Sequence, residues 1–305
     1  MIIPIEIEME SGKFRHLYSK IKSYGIVPLL KIDDTNKAVQ VAEALASGGL
    51  NIAGIIAENA SELKHAFEAA KKISAAFPDM LLAVRGNISA EEEIKQAADS
   101  GVKFIIAHEP DEKITAPCEK NNIAVISDDF ILISEDINAD NIADYLSRDF
   151  IIACGVSFMA EEKYIIESDF ENIKNLTSRS IKKMLGFDLS HVVVNCESDE
   201  QAEQYSSKIE SIFGFEKNDV SSAFSNADIL YFTKSKSYGR NGQIAISTNF
   251  LERAVFYLKE TKKEFIDDSA RFDANGKLIS IYLDNIIGGF AIKLVRSNIA
   301  GESLF

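Results

Sequence analysis

A series of side chains in the first half of the chain has the types needed for proton transfer, amine chemistry or anion binding: Lys31, Glu58, Asn59, Arg85, Asn87, His108, Glu109 and Asp128. Glutamate, aspartate and histidine move protons when held beside a reacting atom. A lysine is a nucleophile when its environment lowers its pKa. Arginine offers a planar fork of donors that matches a carboxylate or phosphate. Each of these residues ends or closely follows a short apolar run: Gly25-Ile-Val-Pro-Leu-Leu-Lys31, Ile52–Ala57, Met80–Arg85, Lys103–Ala107 and Asn122–Ser127.

The elements that must position them follow from the periodicity. Ala38, Val41, Ala42 and Leu45 repeat at the spacing of one buried helix face, and so do Leu63, Phe67, Ala70 and Ile73. Asp33/Asp34 offer an N-cap, Gly48-Gly49 stops the first of these helices, and Ser89-Ala-Glu-Glu92 reads as a capping box for a third that Gly101 closes. Strands that are apolar almost throughout are covered by helices on both faces. A parallel sheet or (β/α) barrel follows, with its ligands at the carboxyl ends of the strands. The rhythm breaks at Asn122–Ser127 and Phe130–Ser134, which only Asp128 and Asp129 separate. A parallel crossover needs roughly a dozen residues, so these runs are either a hairpin or one long bent strand. Ala139–Leu146 then reads as helix, Phe150–Gly155 as strand and Asp169–Leu185 as a long amphipathic helix.

Past a junction near Leu185–Ser190 the pattern changes. His191–Cys196 reads as a strand, Asp199–Phe213 as a helix, and Ser221–Phe224 and Ile229–Thr233 as short strands. Gly242–Ser247, Phe250–Lys262, Leu278–Leu283 and Gly289–Val295 repeat that order, an internal duplication. Phe272–Lys277, with its Asn-Gly pair, reads as a hairpin turn. Lys234–Arg240 reads as a basic, solvated loop between the halves, and His16 and His65 as surface residues.

The chain has 305 residues, 46% hydrophobic and 26% charged, enough for two domains with cores of their own. Its net charge of −14 repels phosphate backbones and anionic lipid heads. Neither nucleic acid nor a membrane is therefore expected as a partner. Met1–Glu10 alternates apolar and acidic residues and lacks the features of a signal peptide. Cys118, Cys154 and Cys196 form no CxxC pair and read as free thiols in a reducing compartment. A cytoplasmic location is the expectation.

Residues Ile26 to Leu185 resemble the 2-keto-3-deoxy-6-phosphogluconate (KDPG) / 4-hydroxy-2-oxoglutarate (KHG) aldolase family. The matching residues are Val27-Pro-Leu-Leu-Lys31, Ala42-Glu-Ala-Leu45 with Gly48-Gly49, Phe77-Pro-Asp79, Ser100-Gly-Val-Lys-Phe-Ile105, Asn141-Ile-Ala-Asp-Tyr-Leu146 and Ala153-Cys-Gly-Val-Ser157. The resemblance implies a (β/α)8 barrel that binds 2-keto acids as a Schiff base on a lysine, with a glutamate as acid and base. It also implies a homo-oligomer. The chemistry departs from the scaffold. Gly54 stands where the resemblance expects the glutamate, Arg85-Gly86-Asn87 replaces a Gly-rich turn, and Glu135-Asp136 replaces a phosphate-binding Gly-Gly turn. The Lys-x-Phe-Pro of the Schiff-base strand is absent, and about two βα units are missing at the Ser127–Phe130 junction. Lys31 then reads as an anion contact, a relocated nucleophile or a solvated residue, and Gly155 with Ser157 as backbone donors to an anion.

Residues Leu189 to Ser297 resemble the glyoxalase/bleomycin-resistance, or vicinal-oxygen-chelate (VOC), fold. The matching residues include Leu189-Ser-His-Val-Val-Val194, Gln204-Tyr205, Phe213-Gly-Phe215, Asn241-Gly-Gln-Ile-Ala-Ile246, Glu252–Leu258 and Gly288–Leu294. The resemblance implies a divalent metal held by one residue from each of four strands. Here those positions are His191, Tyr231, Gln243 and Lys293, and an ammonium at the fourth corner repels a cation. They read instead as a metal-free cup suited to an anion, or His191 as a locally hydrogen-bonded strand residue.

The expectation is an α/β chain with a shortened TIM-type (β/α) barrel over residues 1–186. An α+β glyoxalase-like domain of two βαβββ modules follows over residues 187–305. The function it implies is a degenerate aldolase-like protein without Schiff-base activity that binds a small anionic metabolite or serves assembly, with neither cofactor nor metal. The ligand residues are Lys31, Arg85, Gly155, Ser157, His191, Tyr231, Gln243 and Lys293. The alternatives are an active aldehyde-lyase using another lysine and a VOC-type lyase or isomerase.

Overall fold

The computed structural model describes residues 12–88, 90–148, 150–220, 223–233 and 238–297. The chain divides into two compact units, Met1–Met184 and Leu185–Phe305.

The first unit opens with helix α1 (Arg15–Tyr24), ended by Gly25 in the left-handed conformation. Strands and helices then alternate: β1 (Ile26–Leu30), α2 (Ala38–Ser47), β2 (Ile52–Ala57), α3 (Ala60–Ala76), β3 (Leu81–Gly86), α4 (Glu91–Asp99), β4 (Phe104–Ala107), α5 (Glu112–Lys120) and β5 (Ala124–Ser127). β6 (Ile131–Ile133), α6 (Ile142–Leu146), β7 (Ala153–Val156), α7 (Glu162–Glu167) and α8 (Phe170–Leu185) complete it. β1, β4 and β7 are buried along their whole length, as strands covered on both faces must be. Leu30, Val41, Leu45, Ile55, Phe67, Ile73, Leu82 and Ile105 form the core between sheet and helices. α2 begins at Ala38 behind Lys37, later than the Asp33/Asp34 cap expected from sequence. α4 begins at Glu91, where Glu93 Oε2 accepts from the Ala90 N–H; Ser89 lies outside the described residues.

The seven strands order as β5-β4-β3-β2-β1-β7-β6, all parallel. The two edges, β5 and β6, are consecutive in the chain. Ser127 and Ile131 are four residues apart, so these edges lie within about 14 Å of each other. The sheet is therefore nearly closed, like a barrel. The ladder passes from one edge to the other within a few residues: the Asp128 N–H donates to Ala107 O (3.1 Å), and Phe130 O accepts from the Ile152 N–H (2.9 Å). Neither expectation for this junction is met as stated: β5 and β6 are separate strands at opposite edges of the sheet, joined by a turn in which the Phe130 N–H donates to Ser127 O (3.1 Å).

The second unit contains β8 (Asp188–Asn195), α9 (Asp199–Phe213), β9 (Lys217–Val220), β10 (Ala223–Asn226) and β11 (Leu230–Thr233). β12 (Gly242–Thr248), α10 (Leu251–Glu260), β13 (Phe265–Phe272), β14 (Leu278–Ile287) and β15 (Phe290–Arg296) follow. The eight-stranded sheet runs β13-β14-β15-β12-β8-β11-β10-β9. Each half has the same order, with its first strand parallel to its last, and the halves join through antiparallel β12 and β8. β9 and β13 complete the βαβββ order of each half, but the sequence reading gave them no residue range. They are the two edges of the sheet and are mostly polar and exposed, so no alternation of apolar residues announces them. Residues 234–237 of the basic loop lie outside the described residues.

Gly48 links α2 to α8 by close approach. Its φ of −79° suits any residue, but an added Cβ would lie 2.6 Å from Thr177 Cβ and 2.8 Å from Lys174 O. Gly48→Ala is expected to destabilise the first unit by about 1–3 kcal/mol through overpacking, read as a lower urea midpoint at unchanged m-value.

Candidate functional site

The carboxyl ends of β2 to β5 surround a cleft of about 400 Å³ lined by Glu58, Arg85, Asn87, His108 and Asp128 among apolar neighbours. These residues come from four successive strand ends, brought together because a parallel sheet puts all its carboxyl ends on one side. His108 Nδ1 lies 3.1 Å from Asp128 Oδ1, with the imidazole 79% exposed and the carboxylate 23%. The hydrogen bond that Asp128 accepts, and then its charge, raise the His108 pKa above the ordinary value. A groove of about 450 Å³ opens elsewhere, beside Phe14, Tyr18, Ile123, Val125 and Phe130. Its lining also carries Lys13 and Glu119, and Lys13 Nζ donates to the Glu119 carbonyl oxygen (2.6 Å).

The other residues singled out from sequence in this unit are not among the residues that line the cleft. Asn59 is the N-cap of α3 and accepts from the Ser61 and Glu62 N–H groups. Lys31 is exposed, and its charge helps to lower the Glu62 pKa after the backbone and Asn59 hydrogen bonds. Ser157 is exposed and Glu109 has a φ of 44°. Gly155 faces packed side chains: an added Cβ would lie 2.8 Å from Ile133 Cγ1 and 3.1 Å from Leu29 Cδ1. That side of Gly155 has no space for an anion. Gly54, where the resemblance expects the acid/base glutamate, is filled in the same way, with Leu29 Cδ2 2.8 Å from the place its Cβ would occupy.

In the second unit the register collects a different cluster. His191 on β8 and Lys293 on β15 both pair with Ala245 on β12. Gln243, two residues along β12, pairs with Val193 and Ala291, and Val193 in turn pairs with Tyr231 on β11. Directly paired residues share a face, so His191, Tyr231, Gln243 and Lys293 all project from one side of the sheet. All are buried: His191 is 0% exposed, Gln243 1%, Lys293 3% and Tyr231 5%. Tyr282, paired with Lys293, joins them, its ring centroid 5.5 Å from Lys293 Nζ. The sequence reading placed Tyr282 in a strand without choosing it, because the resemblance pointed to four positions only.

Burial sets the electrostatics of this face. It lowers the His191 pKa to about 4, helped by the charge of Lys293. It lowers the Lys293 pKa to about 8, helped by Arg271. Tyr231 and Tyr282 are raised, burial being the first cause in each. Ser190 Oγ lies 3.0 Å from His191 Nδ1. The donor set does not fit a divalent metal: it offers one imidazole, one amide, two phenols and one ammonium. No cluster of three His, Cys, Asp or Glu side chains suited to a metal occurs among the described residues.

Comparison with known proteins finds partial similarities. Residues 17–128 match the family model described as KDPG and KHG aldolase. A 2-dehydro-3-deoxy-phosphogluconate aldolase of Haemophilus influenzae is 23% identical over 208 residues, covering 55% of this chain and 96% of the relative. Among solved structures, the KDPG aldolase of Legionella pneumophila aligns over 53% of this chain and 96% of its own at 16% identity (TM-score 0.45). The methylmalonyl-CoA epimerase of Mycobacterium tuberculosis aligns over 35% of this chain and 86% of its own at 14% identity (TM-score 0.27). No helix among the described residues is long and apolar enough to cross a membrane.

The two histidines should titrate in opposite senses by NMR. His108 is expected to show a midpoint above 6.5, lowered by Asp128→Asn, and His191 to stay neutral down to about 4. An unfolded His191 binds its proton near 6.5, so its contribution to stability is complete above that pH and is lost as pH falls towards 4. The loss is on the order of 3 kcal/mol. His191→Gln should flatten this acid-side fall in denaturant midpoint.

Proposed function

We propose that the first unit is a binding module for a small hydroxylated carboxylate and does not act as a Schiff-base lyase. The observation that carries this reading is the lining of the cleft: Arg85 with Glu58, Asn87, His108 and Asp128, and no lysine among the described lining residues. An imine requires an amine at the reacting carbon, and Lys31 stands exposed outside this lining. Leu29 fills the space beside Gly54 that a catalytic glutamate would need. The Arg85 guanidinium suits a carboxylate. Glu58, Asp128 and Asn87 around it offer acceptors to hydroxyl groups. The similarity of residues 17–128 to KDPG and KHG aldolases supports a sugar-acid or keto-acid ligand class. The duplicated strand order of the second unit supports its reading as a pair of glyoxalase-like modules.

Borohydride reduction in the presence of pyruvate, followed by intact-mass spectrometry and peptide mapping, tests this. The expected result is no pyruvyl adduct under conditions that fully label an active aldolase of the family. An adduct on Lys31, or on any single lysine, would overturn the reading and identify the nucleophile. Titration with gluconate should shift the His108 resonance, and Arg85→Gln should remove that shift.

A further inference from the structure

The polar residues that line the first unit's cleft stand at two levels. Arg85 on β3 pairs with Ile56 on β2 and with Ile106 on β4, and Ile106 pairs with Ile126 on β5. Glu58, Asn87, His108 and Asp128 each lie two residues further along, one past the last residue of their strand. They form a row about 6–7 Å beyond the level of Arg85, and both levels line the one cleft. The Asp128 N–H donates to Ala107 O (3.1 Å), which holds Asp128 beside the residue that follows Ala107, His108.

That pair has the parts of a general base. A carboxylate only accepts hydrogen bonds, so His108 Nδ1, 3.1 Å from Asp128 Oδ1, carries the proton of the neutral ring and Nε2 has a free lone pair. Asp128 fixes this tautomer and steadies the imidazolium that forms when Nε2 takes a proton. The imidazole is 79% exposed, so a proton held there exchanges with solvent. Arg85 grips the carboxylate of the ligand in the function proposed above, and the present inference rests on that reading. A three-carbon acid anchored at Arg85 extends its second and third carbons towards the row. There Asn87 offers an amide donor to an oxyanion and Glu58 a carboxyl group that carries a proton between oxygens.

We propose that this cleft catalyses the 1,2-proton shift that converts a small 2-keto-3-hydroxy acid into its 2-hydroxy-3-oxo isomer, with His108 as the base and Asp128 as its positioning residue. His108 Nε2 takes a proton from C3. The electron pair of that C–H bond forms the C2–C3 double bond of an enediolate, whose charge rests on the C2 oxygen beside Asn87. Glu58 moves the proton of the C3 hydroxyl to the C2 oxygen, the carbonyl forms at C3, and His108 returns a proton to C2. One C–H and one O–H bond break and one of each forms. The step needs neither an imine nor an oxidant.

Hydroxypyruvate is the probe, incubated with the full chain in D2O and followed by proton NMR. The expected result is a saturable, protein-dependent loss of the C3 methylene signal as the aldehyde isomer appears. The rate should rise with pH through the His108 midpoint. The hydrogen bond to Asp128 and its charge, then the charges of Glu109 and Asp129, place that midpoint above 6.5. His108→Asn should lower kcat at least about 100-fold at an unchanged urea midpoint. Asp128→Asn should lower kcat and move the midpoint of the pH profile down, and Arg85→Gln should raise KM. A pH profile unmoved by Asp128→Asn would overturn the positioning role, and exchange undiminished in His108→Asn would overturn the proposal. A shift of the His108 resonance by hydroxypyruvate without exchange would overturn it and leave the binding reading standing. Neither shift nor exchange would overturn both. Exchange accompanied by a borohydride-trapped adduct on a lysine would overturn both in favour of an imine route.

Discussion

A parallel sheet leaves two rows of unpaired backbone groups at its edges, and each must be paired or covered. In the first unit β5 and β6 are those edges, and one short piece of chain joins them and holds them close without a ladder between them among the described residues. β5 completes the ladder with β4, the chain bends within Asp128–Phe130, and β6 completes the ladder with β7. Two separate edge strands joined by a helix would need far more residues than this junction has. Every strand end of the cleft takes its place from this closure, because β5 is both the last strand of one run and the start of the bend. Asp128, which pairs with His108, sits at the bend itself.

The same closure explains the interior. A narrow barrel-like sheet has little room inside, and Leu29 fills what there is, flanked by Gly54 and Gly155. A carboxylate at position 54 would have to displace Leu29, a buried core side chain. The loss of an acid at Gly54 and the packing around it are therefore one feature, and the polar groups move outward to the cleft at the strand ends.

The second unit handles polarity in the opposite way. Its ionisable groups lie buried on the sheet face, where desolvation holds His191 neutral and pulls Lys293 down towards neutrality. Such a face weakens the unit that carries it. A duplicated module whose two first strands meet at the centre brings residues from both halves to one place: His191 and Tyr231 from one, Gln243 and Lys293 from the other.

The sequence by itself determined the alternation of strand and helix in the first unit, the duplication in the second and the set of strand-end residues that includes Arg85, Asn87, His108 and Asp128. Those features are legible because burial imposes periodicity, and because parallel strands place their ends together. The edge strands β9 and β13 were not legible, since a half-exposed polar strand carries no such period. Only the tertiary structure decided that Lys31 and Ser157 are not among the residues lining the cleft, that the side-chain direction at Gly155 is filled and that Tyr282 joins Lys293. It also replaced the hairpin or bent strand expected at Ser127–Ile131 with a turn joining two separate edge strands. These outcomes depend on which strands pair across the sheet, and pairing between distant segments leaves no mark in the local spacing of residues.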